Sequence, residues 1–133
     1  MPGVLTHVSV ALGGFLILAF FLKNYRYSLA FFIGQLIPDT IKFGITGLVY
    51  HTTNFYKILS HPIYWTLNEY THTIYTWAGL FVLIIGISFV LYKMKKISKS
   101  TFVKIAIADL CFFASIALHL LLDELIIESS YWI

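Results

Sequence analysis

Three histidines and two aspartates stand in or beside strongly apolar runs of this chain: His7, Asp39, His72, His119 and Asp123. An ionisable side chain inside a membrane span costs about 3 kcal/mol on insertion scales, so each is a candidate for function. His119 and Asp123 are spaced i, i+4 and project from one helix face, about one turn apart. Imidazole nitrogen with carboxylate oxygen, completed by ligands from other helices, suits zinc or a similar divalent ion that keeps a position open for water. Each residue also has a structural reading. His119 and Asp123 can bond each other at a helix end. His7 can snorkel to the interface, and His72 can belong to a local cap in Thr71-His72-Thr73. Asp39 can sit at a helix break after Pro38 or pair with Lys42.

The elements that must carry these residues are membrane spans. Of 133 residues, 59% are hydrophobic and only 11% are Asp, Glu, Lys or Arg, under half of the roughly 25% that solvates an ordinary soluble domain. Mean hydropathy is +0.85. This excludes a soluble enzyme and a disordered tail. It also excludes a nucleic-acid module, because nine Lys and Arg residues spread this thinly form no phosphate-tracking patch. The single Cys111 lies in an apolar run and allows no intrachain disulfide.

Four apolar runs follow one another: Val4 to Leu22, Tyr27 to about Tyr50, His72 to Tyr92, and Phe102 to Leu122. The first reaches roughly 28 Å as a helix, enough to cross a hydrocarbon core. Without a basic leader region or a small-residue cleavage site it reads as a retained helix. Pro38, Asp39 and Lys42 interrupt the second run, which predicts a kinked or broken span. The long connection, about Tyr50 to Thr71, needs structure of its own. Pro62 can open a helix there, with Ile63, Trp65, Leu67 and Tyr70 suited to headgroup depth. With no internal repeat or boundary, residues 1–133 form one domain: an all-α integral membrane bundle of about four transmembrane helices, with an interfacial helix in the second loop.

Lys23, Arg26, Lys93, Lys95, Lys96, Lys99 and Lys104 fall on one side of this topology, the cytoplasmic side by the positive-inside rule. Both termini and the long loop then face outward in a multi-pass cell-membrane protein. Counted from the cytoplasmic ends, His7 lies at roughly 22 Å, His119 at roughly 26 Å, and Asp123 and His72 at roughly 30 Å. Asp39 lies at roughly 18 Å. Four spans therefore bring His or Asp into one layer of the outer half. Asp109, at roughly 10 Å, stands apart and is expected to bond a buried hydroxyl or Lys104.

In order, Thr6-His7, Leu36-Ile37-Pro38-Asp39, Tyr70-Thr71-His72-Thr73 and His119-Leu120-Leu121-Leu122-Asp123 make a pattern that resembles the membrane-bound metal-dependent hydrolase family. That family is also described as LexA-binding, inner-membrane-associated hydrolases. The resemblance spans nearly the full chain, and is more distantly similar to the all-helical zinc-dependent phospholipase C fold. It implies that His7, Asp39, His72, His119 and Asp123 are metal ligands or their immediate neighbours, with Asp39 and His72 also catalytic. Two positions depart from the family pattern: Ile41 stands where a second acid is common, and Leu67 where a histidine is common. A second metal is accordingly expected to be absent or weakly held, with His61, His51 and Glu69 as the candidates to replace the missing ligands.

A bound divalent ion, zinc first and manganese second, would make hydroxide available at neutral pH, and phosphoester hydrolysis would follow. A site at the outer interface favours a phospholipid or lipid-linked substrate, with the bilayer as the protein's constant partner. Glu69 is the unpaired carboxylate available as general base. Two other classes use the same residues: a small transporter or proton relay without stable metal, and a non-catalytic membrane scaffold.

Overall fold

The structure is a computed structural model and describes residues 4–125. Those residues are all-helical, in six helices: α1 (Val4–Leu22), α2 (Tyr25–Val49), α3 (Phe55–Leu59), α4 (Pro62–Thr71), α5 (Ile74–Lys93) and α6 (Lys99–Leu125). Three of them are long and apolar enough to cross a membrane: α1 over Leu5–Leu22, α5 over Ile74–Lys93 and α6 over Lys99–Leu125. α2 is 25 residues long but carries Gln35, Asp39 and Lys42, and is not among the three.

Local sequence explains the boundaries. α1 and α2 are joined by Lys23, at φ 50°, and Asn24, whose side chain accepts from the Arg26 N–H and caps α2. Pro62 opens α4 at its first position, where the missing N–H costs nothing. The long connection also contains α3, which the hydrophobic pattern is too short to reveal. Asn54 caps it by accepting from the Lys57 N–H. α4 and α5 meet at His72 and Thr73 alone. His72 therefore lies in a tight joint and not, as expected, on the third span.

Of the kink or break expected at Pro38, the break does not occur. α2 runs through it as one helix, giving up the single bond that the absent Pro38 N–H would make to the Gly34 carbonyl. Neighbouring helices hold this stretch: α2 packs against α1, α6 and α4, while α5 packs against α6. Its buried residues Gly34, Gln35, Pro38, Lys42 and Thr46 form one stripe at helical spacing. Large apolar side chains such as Leu16, Phe20 and Val82 face outward instead. A chain that meets lipid on its surface loses nothing by this, and keeps its polar groups inside.

Three basic residues, Lys23, Arg26 and Lys104, gather at one end. Lys23 and Arg26 share a cavity of about 650 Å³ with Thr101 and Lys104. The directions of α1, α2 and α6 carry His7, Asp39, His119 and Asp123 toward the other end.

The tightest backbone approach is between α2 and α6. A Cβ at Gly34 would lie 2.5 Å from the Phe112 carbonyl oxygen and 3.1 Å from Ser115 Cβ. Gly34→Ala is expected to cost about 1–3 kcal/mol by overpacking. Thermal unfolding in detergent, followed by helical circular dichroism, measures the loss. Gly79→Ala, which meets nothing within 4 Å, should unfold with the wild type.

Candidate metal centre

Asp123, on the last turns of α6, is the hub of the site. Its Oδ1 lies 3.1 Å from His7 Nε2, and its Oδ2 lies 2.9 Å from His72 Nε2 and 3.3 Å from His119 Nε2. Asp39 Oδ1 is 3.7 Å from His72 Nε2 and 3.9 Å from His119 Nε2. The His7 and His119 rings stack with centroids 4.0 Å apart. All five residues singled out in the sequence thus converge. They come from α1, α2, α6 and the α4–α5 joint. Two overlapping groups have the spacing to hold an ion, His7 with His119 and Asp123, and Asp39 with His72 and His119.

The outer ring of hydrogen bonds sets which nitrogen each imidazole turns inward. His119 Nδ1 donates to the Gln35 backbone carbonyl at 2.7 Å, which leaves Nε2 as a lone pair. His72 faces Lys42 Nζ at 3.0 Å through Nε2. An ammonium only donates, so that nitrogen accepts, and Nδ1 carries the proton to Thr71 Oγ1 at 3.0 Å. His7 Nδ1 lies 3.3 Å from the Gln35 side-chain amide.

The amide's orientation is assigned by its other end, 3.4 Å from Ser115 Oγ. Ser115 has one hydroxyl proton, with the Phe31 carbonyl 2.5 Å away. With the amide nitrogen toward His7, the Ser115 proton is shared between the Phe31 carbonyl and the Gln35 side-chain oxygen. Gln35 then donates to His7 Nδ1, and His7 Nε2–H donates to Asp123 Oδ1 at 3.1 Å.

One imidazole lone pair, that of His119 Nε2, consequently faces Asp123 Oδ2 at 3.3 Å with no proton between them, while the His72 Nε2 lone pair accepts from Lys42. His119 Nε2 and Asp123 Oδ2 are buried, and neither has a hydrogen-bond partner. Opposed acceptors of this kind cost free energy unless a cation lies between them. A tetrahedral ion with bonds of about 2.1 Å has ligand–ligand edges of about 3.4 Å, and the contacts around Asp123 and Asp39 run from 2.9 to 3.9 Å. The donors are nitrogen and oxygen without thiolate, a set that zinc and manganese both accept. These residues fit a divalent ion.

The remaining expectations divide. Asp39 does reach the site, and Lys42 Nζ holds its Oδ1 at 2.7 Å. Glu69 is exposed. His61 stacks on Tyr50 with centroids 3.5 Å apart, and His51 is exposed at φ 48°, so neither joins the two ion-holding groups. Asp109 is buried, and its Oδ2 lacks the hydroxyl or Lys104 partner expected for it. Four contributors went unrecognised: Gln35, Ser115, Asn68 and Glu124. Gln35 and Ser115 were visible as polar residues in apolar runs, but only packing shows what they bond. Glu124 lines a cavity of about 510 Å³ with His72, Asp123, Ile74, Leu120 and Leu121.

No family model, curated protein or solved structure matches the chain.

Gln35→Leu removes the side-chain partner of His7 and spares the backbone carbonyl that orients His119. Loss of such an outer partner typically weakens a metal site 10–100-fold. Competition with a chromogenic zinc chelator should show a drop of about that size, with Ser115→Ala showing a smaller one.

Proposed function

We propose that this protein is a four-span, membrane-bound, metal-dependent hydrolase acting on a phosphoester of a lipid or other amphiphile at the outer membrane interface. The observation that carries the reading is the buried pair of opposed acceptors His119 Nε2 and Asp123 Oδ2, neither with a hydrogen-bond partner, within two His/Asp groups spaced to hold an ion. In this reading α2 is the fourth span, its polar stripe screened from lipid by α1, α4 and α6. α4 lies along the headgroups, with Trp65 and Tyr70 exposed to them. The seven clustered basic residues set the cytoplasmic side, leaving the site and both termini outside.

His7, His119 and Asp123 hold the ion, and Gln35 anchors both imidazoles, His7 through its side-chain amide and His119 through its backbone carbonyl. The ion, when bound, supplies Lewis-acid polarisation and acidifies a water. The cavity beside the centre joins His72, Asp123 and Glu124 at its polar side to Ile74, Leu120 and Leu121 at its apolar side. That suits a substrate with an anionic head and an acyl tail. Glu124, exposed on this cavity, is the carboxylate we assign to accept the proton of the attacking water.

The test is turnover of phosphodiester and phosphomonoester lipids by zinc-loaded protein in mixed micelles. His119→Ala and Asp123→Asn should lose bound zinc and at least about 100-fold in rate, the scale on which a group acting at the reacting centre matters. A wild-type protein that binds zinc and turns over neither lipid would remove the hydrolase reading. One observation favours a relay instead: buried Ser28, Asp109 and Ser115 continue the polar seam of α2 and α6 toward the basic end. In proteoliposomes a relay would dissipate a proton gradient, and chelators would leave that flux unchanged.

A further inference from the structure

We propose that Lys42 is a resident second cation of this centre, so that the chain binds one divalent ion where its ligands would otherwise accommodate two. The proposal rests on the metal-centre reading above and adds to it the number of ions and the residue that sets it.

Lys42 is 1% exposed, in the polar stripe of α2. A buried lysine is rare unless its charge is paired. Here three acceptors surround Nζ: Asp39 Oδ1 at 2.7 Å, Asn68 Oδ1 at 3.0 Å and His72 Nε2 at 3.0 Å. An ammonium has three N–H donors, so this tripod is full. Its stem lies against aromatic rings, with Nζ 5.6 Å from the Phe43 centroid and 5.7 Å from that of Tyr64, which adds cation–π attraction.

The tripod uses Asp39 and His72 of one ion-holding group. That group shares His119 with the other, and the single inward nitrogen of His119 serves one ion. A second ion would draw on Asp39, His72 and the Asp123 carboxylate, which lies 2.9 Å from His72 Nε2. A divalent ion there would have to displace the ammonium or lie about 3 Å from it, at a distance where like charges repel strongly in a low dielectric. The other group, His7, His119 and Asp123, contains none of the three residues that Lys42 Nζ binds. Formal charge gives the same count. Two carboxylates and one ammonium sum to −1. One divalent ion brings the centre to +1, and two would bring it to +3 inside a membrane bundle. With Lys42 neutralised, two carboxylates and two ions sum to +2. Lys42 Nζ lies 3.0 Å from the same His72 Nε2 that comes within 2.9 Å of Asp123 Oδ2, so the ammonium places its positive charge at this contact.

The test is zinc stoichiometry by elemental mass spectrometry. The full chain in detergent is incubated with excess zinc and desalted, with wild type beside Lys42→Met, Lys42→Gln and Lys42→Arg. Circular dichroism and size-exclusion chromatography first establish that each variant is folded. Wild type and Lys42→Arg should carry one zinc per chain, and the two neutral variants should rise toward two. Two zincs on wild type would overturn the proposal whatever the variants do, and leave the metal centre standing. One zinc on a folded neutral variant would overturn it equally. No zinc on any of the four would remove the metal centre itself, and this inference with it.

Discussion

The close approach of α2 and α6 at Gly34 is the contact on which the rest depends. With no Cβ at that position, the Phe112 backbone lies against the helix, and the side chains one and two turns further along α6 reach the backbone of α2. Ser115 bonds the Phe31 carbonyl, and His119 bonds the Gln35 carbonyl. A helix carbonyl is ordinarily committed to its own helix, so its capture by a neighbouring side chain requires that the two axes lie close. From this one constraint follow the inward lone pair of His119, the position of Asp123 one turn on, and the stacking of His7 on His119. Separating the two helices by the width of a methyl group would disturb all three at once.

Solvent imposes the second constraint. Lipid offers no hydrogen bonds, so the polar side chains of an apolar chain must find each other. Here they do so along α2, whose neighbours cover its stripe while large apolar residues of α1 and α5 turn outward. The buried set is accordingly unusual for so small a protein: His7, Gln35, Lys42, Ser115 and His119 are all within it, beside a few apolar residues such as Ala11 and Ile116. Polar packing of this kind specifies partners more narrowly than apolar packing, because each donor must meet an acceptor at a fixed distance.

Helix content and the three most apolar helices were legible because twenty-residue apolar runs have few other solutions. The opening of α4 at Pro62 was legible for a local reason, proline's fitness for a first turn. The five ionisable residues could be grouped by depth because helical rise is constant, and that arithmetic survives His72 falling in a joint. Pro38 left a kink and a break equally open, and packing on three sides, which no local rule foresees, keeps α2 continuous through it. Lys42 was visible as a partner for Asp39, but its bonds to Asn68 and His72 depend on how α4 docks against α2. The Gln35 bonds were illegible for the same reason, since no local rule says which residue 84 positions away will claim a carbonyl.

The bond between His7 and Asp123 joins residues 116 positions apart. A chain made from its N-terminus therefore holds His7 long before the acid that faces it has been synthesised. During that interval His7, Gln35 and Asp39 have only one another and Lys42 as polar partners. The cluster is completed when α6 docks against α2, so a chain in which α6 has not yet docked presents an open polar seam along α2.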